Sequence, residues 1–217
     1  MKTIHGLKIP SSLTDICNRQ SMAFLVYDMQ AGIVNQIGDG KAITGKIHQA
    51  LAAARSAGMR TVFTRHLPLP KELMGRAQYR MAMAWQRVQS PEEVRPWFLR
   101  DSPAFQIVGD LAPLPSEAIF DKIAMSAFEG TPLATALHDC GIIAVAIAGI
   151  AMEIGIEPTV RHAADLGFIP VVLADACGAG HKDAADRSLE ALRFAGEAII
   201  TDVRSFVAAL QSSPEPE

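Results

Sequence analysis

Asp28 closes the apolar run Phe24-Leu25-Val26-Tyr27. A carboxylate at the end of a buried strand is partly desolvated, a setting that suits it to pass a proton near neutral pH; the same position also suits an aspartate that caps a helix or braces a loop. Lys122 follows the short run Ala118-Ile119-Phe120 in the same way. Brought beside Asp28, it would form an ion pair that holds both side chains in place, or donate to a substrate oxygen; otherwise it is a solvated surface charge. Arg65 and His66 follow a third run, residues 60–64, and are placed to hold a substrate carboxylate or carbonyl unless the histidine is structural. The fourth segment, residues 149–157, has Glu153 and Glu157 on either side of Gly155 and offers no serine or cysteine nucleophile. Glu153 either positions a water in the pocket or complements the dipole of a first helical turn, and Glu157 faces helix packing or a partner subunit.

Pro158 limits this segment further. Proline is tolerated in the first helical turn but not beyond it, so the helix containing residues 159–166 is expected to begin only two to four residues earlier. The amides of Gly155, Ile156 and Glu157 are then free, with the positive end of the helix behind them, and an anion or a developing oxyanion is the expected occupant.

The elements that must position these residues alternate. Strands are predicted over residues 23–27, 60–64, 118–120, 142–148, 169–174 and 198–200, with helices over 42–57, 131–140, 159–166 and 181–195 and a last helix at the end. Glycines 58, 141, 167 and 196 stop the four internal helices. This rhythm implies right-handed βαβ crossovers: a three-layer α-β-α, Rossmann-like α/β fold with a mostly parallel central sheet of about six strands. Ligands bind outside the carboxyl ends of such strands, where Asp28, residues 64–66, Lys122 and residues 149–155 all fall.

Residues 67–115 leave the rhythm. They are rich in proline and hold both tryptophans with Met81 and Met83, so a helix near 72–89 followed by an irregular excursion is expected, serving as a surface insertion, an oligomer contact or a substrate lid. The domain is expected over 21–211, after an N-terminal extension of residues 1–20 and before a disordered tail of residues 212–217.

Three of these segments together resemble the isochorismatase-like hydrolase family: residues 24–30, Phe120-Asp121-Lys122 with Ser126-Ala127-Phe128-Glu129-Gly130-Thr131, and residues 148–157. The resemblance runs from about Ser21 to Phe206. It implies an Asp28–Lys122 pair, with Gly155 where the cysteine-dependent members carry their nucleophile. It also implies a cis peptide between Ile150 and Ala151, an oxyanion hole from the amides of Ala151 and Gly155, and Phe128 as an apolar wall of the pocket. The family's true isochorismatases also have a small residue at the cysteine position; their aspartate protonates a vinyl ether and water captures the resulting cation. Hydrolysis of a small polar, anionic metabolite without a cysteine nucleophile, with an enol ether as the best-suited substrate, is the first expectation. The alternatives are a non-catalytic ligand-binding descendant and an amidase whose cysteine was replaced by glycine. Some relatives bind a metal through Asp-x-His; here the pattern is Thr64-Arg65-His66, so neither metal nor other cofactor is expected.

Composition excludes other classes. The 217 residues are 49% hydrophobic and fit one domain with a full core. The net charge of −3 is spread without a basic stripe, so nucleic acid is not an expected partner. No apolar run reaches membrane-spanning length and no signal pattern opens the chain, which leads to the expectation of a cytoplasmic protein with no membrane contact. Cys17, Cys140 and Cys177 are odd in number and scattered, which fits a reducing compartment; Cys177 as a replacement nucleophile is a remote alternative. Family habit and the apolar excursion point to a homodimer or homotetramer.

Overall fold

In the computed structural model, which describes residues 2–212, six parallel strands form one sheet. A hairpin of β1 (Lys2–Ile4) and β2 (Leu7–Ile9) precedes it. The sheet contains β3 (Met22–Tyr27), β4 (Arg60–His66), β5 (Ala118–Lys122), β6 (Ala144–Ile150), β7 (Ile169–Gly178) and β8 (Ile199–Thr201), in the order β5-β4-β3-β6-β7-β8. The chain therefore builds outward from β3 to β5, then returns to the other side of β3 with β6. That reversal makes the ends of β3 and β6 the switch point where parallel sheets open a crevice.

Alternation along β3 explains the two layers around the sheet. Met22, Phe24 and Val26 join a core with Ile43, Ile47 and Phe206, whereas Ala23, Leu25 and Tyr27 join a second core with Leu133, Val160 and Leu192. The helices are α1 (Leu13–Ile16), α2 (Ala31–Val34), α3 (Gly40–Ser56), α4 (Arg76–Gln86), α5 (Leu133–Asp139), α6 (Glu157–Asp165), α7 (Lys182–Ala195) and α8 (Val203–Ser212). Helices α3 and α8 cover the first face; α5, α6 and α7 cover the second. Phe24 meets Phe206 with ring centroids 5.7 Å apart.

Several boundaries differ from the sequence reading. Strands β4 and β5 each run two residues further, because Arg65 and His66 pair in register with Asp121 and Lys122. These residues thus lie within strands rather than after them. Strand β7 continues to Gly178 through a register shift against β6. The excursion holds a shorter helix than expected, α4, among single 3-10 turns. Ser212, assigned above to the disordered tail, is the last residue of α8, and residues 213–217 lie outside the described residues. Among the described residues no helix is long and apolar enough to cross a membrane.

Candidate active site

Asp28 follows directly on β3 and turns the chain out of the sheet with a φ of 47°, a left-handed conformation that aspartate accepts better than most residues. Its side chain is buried. One carboxylate oxygen, Oδ2, accepts from Lys122 Nζ at 2.7 Å, and the other, Oδ1, accepts from the Thr64 hydroxyl at 2.7 Å. Thr64 in turn accepts from the Asp28 amide at 3.3 Å, which fixes its proton toward the carboxylate. Lys122 reaches across the end of β4 and is itself buried, with its remaining donors on the Tyr27 hydroxyl at 2.8 Å and the Ala124 carbonyl at 3.1 Å. A buried ion pair is tolerated when each partner is also hydrogen-bonded, and here every ammonium proton has an acceptor.

Tyr27 is the residue that sequence reasoning missed. A Cβ built on Gly155 would lie 2.0 Å from the Tyr27 phenolic oxygen, 2.4 Å from Cζ and 2.6 Å from Cε1. The space beside Gly155 is thus filled by the Tyr27 phenol. Gly149, paired with Tyr27 across β3 and β6, is glycine for a related reason: a Cβ would lie 2.0 Å from the Tyr27 carbonyl oxygen. The phenol accepts from Lys122 and donates to the Met125 carbonyl. Burial, then the neighbouring Asp28 charge, push its pKa well above the ordinary value, so it stays a proton donor.

The segment after β6 also differs from expectation. The Ile150–Ala151 peptide is cis, and Met152–Ile156 forms one π-helical turn before α6. That turn uses the amides expected to be free. Gly155 and Ile156 donate to the Ala151 carbonyl at 3.0 and 3.1 Å, and Glu157 donates to the Met152 carbonyl. Proline did delay α6, as its chemistry requires, but the wider turn satisfies the donors internally. Gly155 is therefore not a free member of an oxyanion hole in this structure.

Of the other expected site residues, His66 lies within electrostatic reach of both Asp28 and Lys122. It lines a cleft beneath the excursion with Met125, Ile123, Trp85, Trp97 and Met81, and burial holds its imidazole below the ordinary pKa. Its backbone is clamped by the Gln30 side chain, which accepts from the His66 amide at 2.6 Å and donates to its carbonyl at 3.1 Å. Arg65, one residue earlier on the strand, takes the alternate face; it donates to Asp121 at 2.7 Å and lies 4.5 Å over the Phe105 ring. Phe128 is a core residue stacked on Phe168 at 5.6 Å, rather than a pocket wall. Glu153 accepts from the His181 amide at 2.7 Å, bracing the entry to α7 instead of facing Asp28. Glu157 binds Arg161 at 2.9 Å within its helix. The Cys177 thiol is pushed up to about 12 by burial, which makes it a poor nucleophile.

The pattern is specific enough to be placed among known proteins. Residues 22–205 match the isochorismatase domain family. The chain is a hydrolase of the isochorismatase family. It is 30% identical to the ureidoacrylate amidohydrolase RutB of Methylorubrum extorquens, over 86% of this chain and 79% of that one. It is 29% identical to the enzyme of the same name from Cronobacter sakazakii, over 99% and 97%. Among solved structures, a cysteine hydrolase from Pseudomonas syringae superposes with a TM-score of 0.76 at 22% identity, covering 90% of this chain and 94% of that one. The pyrazinamidase of Pyrococcus horikoshii in complex with zinc gives 0.68 at 23%, over 84% and 99%. These structural likenesses establish the fold. The residues here do not fit a metal site like one built on Asp-x-His: the position two before His66 is Thr64, whose hydroxyl is committed to Asp28. Among the described residues no group of three or more His, Cys, Asp or Glu side chains gathers as metal ligands.

Proposed function

We propose that the chain hydrolyses an amide or ureide bond of a small polar metabolite by activating water directly, with no covalent intermediate, at the buried Asp28–Lys122 pair. The observation that carries this reading is the acceptor-only state of Asp28: one oxygen takes the Lys122 ammonium and the other the Thr64 hydroxyl. Such a carboxylate is arranged to receive a proton from water, the role of a general base. It is not arranged to protonate an alkene, so the geometry favours C–N hydrolysis over the enol-ether chemistry expected from sequence. The amidohydrolase names of the two relatives support the same bond type.

The cleft beneath the excursion is the route by which substrate reaches the pair. Met125 contributes to its lining while its carbonyl holds the Tyr27 hydroxyl directly behind. Among the lining residues Arg95 is the one permanent charge, which supports a substrate with a carboxylate or other acidic group. Residues 67–115 then act as the lid that closes over it.

The test is turnover of ureidoacrylate, acetamide and an alkyl vinyl ether by the intact protein, by Asp28→Asn and by Lys122→Met. Amide or ureide hydrolysis that falls at least about 100-fold in Asp28→Asn supports the reading. Turnover of the vinyl ether alone, or binding of all three probes without turnover, overturns it.

A further inference from the structure

The geometry points to Tyr27 as the catalytic acid of this site, standing where Gly155 leaves no side chain and supplied with protons by Lys122. This rests on the proposed hydrolysis and assigns the half of the reaction that Asp28 leaves open. Hydrolysis without a covalent intermediate needs two proton transfers, one from the attacking water and one to the leaving nitrogen. Asp28 serves the first. A single carboxylate that has just accepted a proton must still deliver it to the far side of the scissile bond.

The structure contains a path for that delivery. Asp28, Lys122 and Tyr27 form a continuous hydrogen-bonded chain, with the ammonium 2.7 Å from the carboxylate and 2.8 Å from the phenolic oxygen. The phenol oxygen lies 2.0 Å from where a Gly155 side chain would begin. It therefore occupies the space that a side chain at position 155 would enter. Its O–H is parked on the carbonyl of Met125, a residue of the cleft wall. A substrate that displaces Met125 receives the donor.

The proton circuit closes without an outside co-reactant. Water attacks the carbonyl carbon and gives its proton to Asp28, and the C–N bond breaks as Tyr27 donates its proton to the departing nitrogen. The phenolate recovers a proton from the Lys122 ammonium, and the Lys122 amine recovers one from the Asp28 carboxyl. The products are a carboxylic acid and an amine, and all three side chains return to their starting states. Burial of the phenol keeps its proton on until the leaving group requires it.

The experiment compares Tyr27→Phe with the intact protein on acetamide, acetanilide and 4-nitroacetanilide. Loss of an acid predicts that kcat falls at least about 100-fold on acetamide, with KM little changed, and that the deficit shrinks steadily as the leaving nitrogen becomes less basic. An equal deficit on all three substrates marks a structural role and overturns the proposal. So does full activity in Tyr27→Phe while Asp28→Asn is dead, a result that leaves the hydrolase reading standing. Absence of turnover by the intact protein overturns both. Because Tyr27 and Tyr79 are the two tyrosines of the chain, fluorotyrosine incorporation in a Tyr79→Phe background gives a second test that preserves the phenol. The more acidic phenol must move the alkaline limb of the pH–rate profile to lower pH; an unmoved limb overturns the assignment.

Discussion

Replacing Gly155 by cysteine would restore an amidase if the chain were simply a cysteine hydrolase lacking its nucleophile. The structure predicts the opposite. The new Cβ would meet three atoms of one phenol ring at 2.0, 2.4 and 2.6 Å, all far inside van der Waals contact. The ring has no easy retreat, since Tyr27 is buried and its hydroxyl is held between Lys122 and the Met125 carbonyl. Overpacking of this kind costs about 1–3 kcal/mol, and three contacts with one constrained ring place Gly155→Cys near the upper end, about 3 kcal/mol. For a domain of this size that lowers the melting temperature by roughly 6–12 °C. Removing the ring relieves the clash: Tyr27→Ala alone costs about 3–5 kcal/mol for the cavity it leaves, but the double variant should be more stable than the sum of the two by about 1–3 kcal/mol. Urea denaturation of the four proteins of the cycle measures this coupling, and a thiol assay reports whether the introduced thiol is reactive only when Tyr27 is shortened. A Gly155→Cys protein that melts with the wild type, or that gains thiol-dependent amidase activity on its own, would contradict this packing.

Three further outcomes follow from the same geometry. Lys122→Ala strips a buried carboxylate of its cation and should cost about 3–5 kcal/mol in urea denaturation, whereas a loss under about 1 kcal/mol would show that Asp28 is not the charge the structure makes it. His66 has its folded pKa lowered from 6.5 by burial, so its contribution to stability is present above that value and is lost as pH falls through the folded pKa. Thermal melts between about pH 7.5 and 5 should therefore show a steeper acid loss for the wild type than for His66→Gln; parallel profiles would contradict the burial. With a thiol reagent at about pH 8, the exposed Cys140 should react rapidly while Cys177, its thiol pushed up to about 12, stays silent until unfolding, as peptide mapping by mass spectrometry can verify.

Asp28 and Lys122 were legible from sequence because each ends an apolar run, and parallel sheets gather strand ends on one edge whatever the loops between them do. The alternation of strands and helices and the late start of α6 at Pro158 were legible for similar reasons: periodicity and proline geometry act locally. Thr64 was not. Its contact with Asp28 depends on β4 lying beside β3, a neighbour relation that no local pattern encodes. The π turn escaped because the amides that a helical start leaves free are taken up by the Ala151 and Met152 carbonyls, a wider turn that no periodicity or proline signal marks. Arg65 and Glu153 were placed on the correct edge, but alternation along β4 turns Arg65 to Asp121 and the π turn directs Glu153 to the His181 amide.

Local patterns of residues suffice to put an acid and a lysine at the ends of strands in a parallel sheet and to show that no nucleophile stands at position 155. What fills that position depends on long-range packing. Tyr27 and Gly155 are far apart in the chain, and their fit depends on β3 pairing with β6 so that Tyr27 lies opposite Gly149 and the following turn folds back over the ring. A glycine in a sequence records that a side chain is missing; which neighbour takes the space is a property of packing, where close-packed interiors leave no room for both.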